Sequence, residues 1–340
     1  MPFAHAATRL KHQTRLAAVA AAVAIATAGV AGCSSGSSSS SGTGGSGPEQ
    51  THITVAEVPA TDEVPFYLAL KNGYFRQQGL TVTPVPVHTS VDAIPELVRG
   101  SVQIIIGGND VSFFNVEAKG VLNVRLIAPA GSCTQNSFAL LTLPHSTIRK
   151  PSDLAGKKIS VPTKASINTL LINSQLQDSG VNPSSVHYVD IPFVDASAAL
   201  QAHQIDAISM IEPFLTEAET SGAEELMPLC KGPTANIPLS GDFTTASWAQ
   251  KNPRTVAAFQ RAMAQGAAAA DSNHAADEQV LQANVKVPPS MVSLVNFNSY
   301  PTSLNVAQIQ RLADLMFDGG MLKARLNVTS IMVPTAGAAG

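Results

Sequence analysis

From residue 52 onward, apolar positions alternate between a period of two and a helical period, and the switch recurs along the chain. Ile53 and Val55 alternate with polar neighbours, which predicts a strand over 52–57, followed by a polar loop over 59–63. Residues 64–71 read as a helix stopped at Asn72-Gly73, with glycine at the usual C-terminal position. A second strand is predicted over 81–87. Thr89 and Ser90 suit the N-cap of a helix that places Val91, Ile94, Leu97 and Val98 on one face and ends at Gly100. The unbroken apolar run 102–106 predicts a strand buried on both faces. Gly107-Gly108-Asn109 reads as a loop, Asp110 as the cap of the next helix, and 124–128 as a strand.

The same alternation starts again near Gln135. Strands are predicted over 137–143, 159–161, 186–189, 205–211 and 226–229, and a turn over 152–158. The helices between them are one opened by Thr163-Lys164-Ala165-Ser166 and carrying Ile167, Leu170, Leu171 and Leu176, one capped by Asp195, and one over 216–221. From about residue 235 the pattern turns mainly helical, over 253–270, 275–284, 289–294 and 304–318, and the tail 334–340 is expected to be disordered. Strand, loop and helix recurring with short connections predict an α/β fold with largely parallel sheets.

The first fifty residues have a different character. Arg9, Lys11 and Arg15 precede an apolar stretch over 16–30 of about 15 residues, short of the roughly 20 needed to span a bilayer. That layout predicts a cleaved export signal. Val30-Ala31-Gly32-Cys33 resembles the lipobox of bacterial lipoproteins. The resemblance implies a signal peptide over 1–32 and lipidation, such as palmitate, on a new N-terminal Cys33, with the protein anchored on the extracytoplasmic face of the cell membrane. Residues 33–50, almost wholly Ser and Gly up to residue 47, cannot bury apolar surface and read as a flexible tether.

Composition narrows the function classes. Residues 1–32 hold three of the 21 basic and none of the 24 acidic residues, so the remainder carries 18 − 24 = −6. There is no basic stripe, which argues against a nucleic-acid partner. The histidines are scattered, and HExxH, CxxC, GxSxG, Walker A and GxGxxG are all missing. No catalytic residue, metal site or cofactor is therefore expected. Cys133 and Cys230 remain in an oxidising compartment, where a disulfide is permissible.

Several motifs together carry a family likeness. Pro65-Phe66-Tyr67-Leu68-Ala69, Asn72-Gly73-Tyr74-Phe75 and Gly79-Leu80-Thr81-Val82 resemble the opening of bacterial solute-binding proteins for nitrate, sulfonates, taurine and thiamine-pyrimidine precursors. Leu97-Val98-Arg99-Gly100-Ser101-Val102-Gln103 resembles a further family motif, with Gln103 where an acid is usual. Asp153-Leu154-Ala155-Gly156-Lys157-Lys158-Ile159, and Ile205-Asp206-Ala207 with Glu212-Pro213, resemble the start and the last strand of the second lobe. The likeness covers roughly 52–250. It implies the two-lobe type II periplasmic binding protein fold: α/β, each lobe a mostly parallel sheet flanked by helices, with two hinge crossings near 128–135 and 231–243. Lobe one is expected over 51–130 plus 240–335, with the C-terminal helices, and lobe two over 131–239. Because the crossings run close together in that fold, a Cys133–Cys230 bridge is an expectation, with two free buried thiols as the alternative.

The implied function is a monomeric receptor that delivers a small solute to an ABC permease and its ATPase. A sensory module on the same fold is an alternative. A thiamine-pyrimidine biosynthetic enzyme is disfavoured, because the Cys-rich motif is missing and neither His52 nor His88 stands in the required context. In open α/β sheets ligands sit beyond the carboxyl ends of strands, where helix N-termini point. The candidate ligand-binding residues are therefore Thr61, Asp62, Thr89, Ser90, Gly108, Asn109, Thr163, Lys164, Ser166 and Glu212, with Phe243 as a stacking partner. Each has a plainer reading: Thr89, Ser90, Asp110 and Ser166 as helix caps, the glycines as a turn, Lys164 as a solvated side chain, Glu212 as a salt bridge across the hinge. The candidate acids Asp62, Glu63, Asp110 and Glu212 outnumber Lys164, which disfavours a doubly charged anion and leaves a neutral or cationic heterocycle as compatible as a sulfonate.

Overall fold

The computed structural model describes residues 47–334. The export signal, Cys33, most of the tether and the tail beyond 334 lie outside the described residues.

The chain runs through β1 (His52–Glu57), α1 (Val64–Lys71), α2 (Tyr74–Gln77), β2 (Thr81–Pro86), α3 (Ile94–Arg99), β3 (Ile104–Asn109), α4 (Asp110–Ala118) and β4 (Val124–Pro129). It continues with β5 (Phe138–Thr142), β6 (Lys158–Val161), α5 (Ile167–Asp178), β7 (His187–Asp190), α6 (Phe193–Gln201), β8 (Ala207–Ile211), α7 (Phe214–Thr220) and β9 (Glu224–Pro228). Then come β10 (Ser240–Thr245), α8 (Ala246–Lys251), α9 (Pro253–Ser272), α10 (His274–Asn284), α11 (Pro289–Val292) and α12 (Val306–Asp318).

The strands form two five-stranded sheets, ordered β2-β1-β3-β10-β4 and β7-β6-β8-β5-β9, giving an α/β two-lobe fold. Both sheets are mixed and, as expected, mostly parallel: in each, four of the five strands run the same way and one, β10 or β5, runs against them. β1 pairs parallel with β2 and β3, but β10 is antiparallel to β3 and β4. In the second sheet β6 is parallel to β7 and β8, and β5 is antiparallel to β8 and β9.

One strand escaped prediction, as did the short helices α2 and α8. β10 reads Ser-Gly-Asp-Phe-Thr-Thr, with neither an apolar run nor alternation, yet all six residues are buried. It is a strand because β3 and β4 flank it on both sides. Its polar groups find partners there: Asp242 accepts the Gly107 N–H at 3.1 Å and Thr244 donates to the Gln103 carbonyl at 2.6 Å. Gly107-Gly108-Asn109 is likewise the end of β3 and not a loop. The cap of α4 is Asn109, whose side chain accepts the Ser112 N–H, while Asp110 is the first helical residue. Residues 61–63 form a 3-10 turn, and Asp195 sits inside the first turn of α6 with Pro192 as its N-cap.

Helix packing follows from small residues in the right places. α9 lays Val256, Phe259, Met263 and Ala267 against α1, and a Cβ on Gly266 would lie 2.1 Å from the Pro65 carbonyl oxygen. A glycine is needed for that approach. One apolar cluster covers this face, and a third covers the other sheet through Leu141, Ile208, Met210 and Leu215. The largest cluster spans both sheets, joining Ile105, Leu126 and Phe243 of the first to Leu140 and Ile159 of the second, with Leu312 and Met316 of α12.

The segments that cross between the sheets run side by side. Cys133 N–H donates to the Ile237 carbonyl and Leu239 N–H to the Gly131 carbonyl, each at 2.9 Å, while Ser132 N–H meets the Ser299 carbonyl at 3.0 Å. Cys133 and Cys230 are joined by a disulfide, Cα to Cα 5.5 Å. No helix among the described residues is long and apolar enough to cross a membrane.

Candidate functional site

A cleft lies between the carboxyl ends of β1 and β3 on one side and those of β6 and β8 on the other. With its open mouth it encloses about 610 Å³. Side chains of both sheets line it: Asp62, Glu63, Thr89, Ser90, Asn109 and Ser112 from the first, Thr163, Ser166, Asn168, Phe193 and Ile211 from the second.

Six of the candidate residues come together there: Asp62, Thr89, Ser90, Asn109, Thr163 and Ser166. Asp62 is buried and accepts from Ser240 Oγ and Asn298 Nδ2. Ser90 Oγ accepts the Asn109 N–H at 3.2 Å. Asn109 Oδ1 accepts the Ser112 N–H at 3.2 Å, at the start of α4, and the Ile167 N–H at 3.0 Å, at the start of α5. Ser112 Oγ adds a bond to the Ala165 carbonyl at 2.9 Å. The two sheets are therefore fastened directly across the cleft.

Five candidates are placed elsewhere. Thr61 is buried, with N–H and Oγ1 both donating to the Glu212 carbonyl, 3.3 and 3.1 Å, while its own carbonyl accepts from Tyr300. It fastens the hinge. Gly108 faces the core: a Cβ there would lie 2.8 Å from the Phe243 ring and 2.9 Å from Phe113. Its neighbour Gly107 is the one that lines the cleft, at φ +59° with Glu63 Oε1 2.0 Å from where a Cβ would sit. Lys164 points to solvent beside Asp190, 3.9 Å away, as expected of a long cation on an exposed turn. Glu212 is buried at the hinge, accepting from the N–H and Oγ1 of Thr216 and the N–H and Nδ2 of Asn296, 3.0 to 3.2 Å. These are hydrogen bonds and not the salt bridge its plainer reading suggested. Phe243 stacks on Phe113, centroids 4.3 Å apart, and is fully buried in the core.

Sequence reasoning missed Asn168, Phe193 and Ser112 as lining residues. Asn168 lies two positions into the helix that Ser166 caps, so its place on the first turn beside the cleft was the available signal. Nothing local marked Phe193, which opens α6 on the far wall.

The floor of the cleft is acidic. Burial, aided by repulsion from Asp62, Glu57 and Asp242, holds the Glu63 carboxyl well above its ordinary range. Burial also raises Asp62, and behind the lining residues burial with a neighbouring acid raises Asp110 and Asp242 well above theirs. No Lys or Arg lines the cleft among the described residues. Three lining atoms have no hydrogen-bond partner among the described residues: Thr89 Oγ1, Ser166 Oγ and Asn168 Oδ1. No group of three or more His, Cys, Asp or Glu among them is placed to hold a metal ion. The arrangement offers a small solute hydroxyls, an amide and carboxyls.

Known proteins align with this architecture. A putative ABC transporter periplasmic binding protein of Brachyspira hyodysenteriae is 26% identical over 247 residues, 68% of this chain and 69% of that protein. The taurine-binding periplasmic protein of Escherichia coli is 28% identical over 195 residues, 56% of this chain and 58% of that one. Among solved structures, the alkanesulfonate-binding protein of Xanthomonas axonopodis pv. citri superposes with a TM-score of 0.72 at 20% identity, covering 84% of this chain and 99% of that one. The nitrate-binding protein of Synechocystis PCC 6803 gives 0.69 at 15% identity, covering 84% and 86%. These two likenesses concern the fold. The family model described as NMT1/THI5 like matches residues 60–275, more than half of the chain, and the chain belongs to that family.

Proposed function

We propose that this protein is the extracytoplasmic receptor of an ABC importer, capturing a small solute in the cleft and delivering it to a membrane permease and its ATPase. The observation that carries the reading is the cleft itself, which side chains of both sheets line and close together. Binding would set the closed arrangement of the two lobes, drawn as residues 51–130 plus 240–335 and residues 131–239, and the closed form would dock on the permease. Relatives named for taurine and for periplasmic binding within ABC transport support it, and sulfonates, nitrate, taurine and pyrimidines are the solutes to try first. On this reading the chain is a binding protein and not an enzyme, and works as a monomer. Lipid on Cys33 and the Ser/Gly tether would hold it near the permease and raise their effective concentration.

Thermal stabilisation of the purified protein across that panel, with native mass spectrometry of freshly isolated material, tests the reading. A retained small molecule, or a clear shift with one solute, is expected. No shift and no retained molecule would overturn it. For the anchor, Cys33→Ala should release the protein from the membrane with solute affinity unchanged.

A further inference from the structure

The cleft continues outward into a second, apolar recess. The two share Val58, His88 and Phe193, and the outer part adds Val87, Val194 and Phe214, with Lys286 also lining it. Phe193 and Phe214 lie stacked, centroids 5.5 Å apart and 17° between planes, forming a flat aromatic wall. The inner and outer parts thus differ sharply in chemistry.

The inner part is rich in acceptors. Asp62 and Glu63 line it from one side. From the other, the lining residue Asn168 is 1% exposed and donates its Nδ2 to Ser209 Oγ at 3.0 Å, and its buried Oδ1 has no partner among the described residues. Ser166 Oγ, equally buried, is in the same position. Features that would welcome an anion are few: no Lys or Arg lines the inner part among the described residues, and its unpartnered Ser166 and Thr89 hydroxyls can accept as well as donate. The helix N-termini beside the cleft each give an N–H to the single oxygen Asn109 Oδ1. Lys164 lies outside beside Asp190.

Building on the receptor reading, we propose that the solute has an N–H-bearing head, cationic or neutral, on an apolar body. The head sits against Asn168, Ser166 and the Asp62–Glu63 acids, and the body lies along Phe193 and Phe214. Burial favours the protonated form of the Asp62 and Glu63 acids, and an anionic head beside them would find no Lys or Arg among the described residues lining the inner part, whereas a cationic head would favour their charged form. An ammonium or amidine-like head would also satisfy the free acceptors. The apolar body would then keep water out of the recess.

The test uses the purified protein and four probes in calorimetry: ethylammonium, hexylammonium, ethanesulfonate and hexanesulfonate. Hexylammonium is expected to bind at least tenfold tighter than hexanesulfonate and at least tenfold tighter than ethylammonium. Phe193→Ala should cut the affinity ratio of hexylammonium to ethylammonium at least severalfold, and an unchanged ratio would overturn the placement of the apolar body. Equal or tighter binding of hexanesulfonate would overturn the inference and leave the receptor reading standing. So would equal affinity for the two ammonium probes. Failure of both ammonium probes to bind overturns it as well, and the receptor reading falls with it only if the sulfonates also fail and native mass spectrometry finds no retained solute.

Discussion

The side-chain oxygen of Asn109 accepts the backbone N–H of Ile167 at 3.0 Å, so a residue at the end of β3 caps the helix that opens the opposite lobe. The same oxygen caps its own helix through Ser112. Asn109→Ala removes both bonds. At about 0.5–1.5 kcal/mol, the bond that crosses the cleft predicts a fall in solute affinity of roughly two- to thirteen-fold, with a larger radius of gyration in small-angle scattering of the solute-loaded protein. Unchanged affinity and radius would show that this fastening plays no part in closure.

Gly107 and Gly120 separate two effects of glycine. Both have positive φ, +59° and +65°, but a Cβ on Gly107 meets Glu63 Oε1 at 2.0 Å while one on Gly120 meets nothing within 4 Å. Gly120→Ala should cost about 1–2 kcal/mol, the left-handed penalty alone. Gly107→Ala should cost clearly more in urea unfolding and also weaken solute binding, because the Glu63 carboxyl must move. Equal losses would mean that Glu63 shifts without penalty.

The Cys133–Cys230 disulfide links positions 97 residues apart, tying the first crossing to the start of the second. Replacing both cysteines by serine should lower stability by about 2–5 kcal/mol, read as a drop in melting temperature. Thiol titration of denatured, unreduced protein should find neither cysteine reactive.

Stability should fall as pH rises from about 4 to about 7. Burial, with Asp271 and Glu278 nearby, pushes the Asp277 carboxyl up to about 7 from an ordinary 3.8. Its oxygen lies 3.6 Å from His274 Nδ1, and Tyr300 is close enough to feel its charge. A carboxyl that holds its proton more tightly when folded favours the folded state below its unfolded pKa, and that contribution is lost as pH climbs through the folded value. Asp277→Asn should therefore flatten the pH profile, with little effect at pH 4 and a gain of at least about 1 kcal/mol at pH 8. A parallel profile in both proteins would rule Asp277 out as a source of the slope.

Much of the architecture was legible in the chain. β1 and α1 fall where the apolar periods and Asn72-Gly73 put them, because those signals are local: alternation decides a strand's face and glycine ends a helix regardless of what lies beyond. Family motifs supplied the two-lobe fold. The cleft was legible in part. Thr89, Ser90, Asn109 and Ser166 stand at strand ends and helix starts, where open α/β sheets gather ligands.

What tertiary structure alone decided is which polar residues face one another. β10 has no periodic signal and is a strand because two neighbours flank it. Thr61 and Glu212, 151 residues apart, meet each other in a buried contact between the two lobes. Gly107 and Gly108 are adjacent in sequence, yet one lines the cleft and the other the core, since successive strand residues point to opposite faces and only the assembled sheet says which face is which. The sequence determined the elements and the kinds of polar group at their ends. The packing of the two sheets determined which of those groups are spent on holding the lobes together and which remain for a solute.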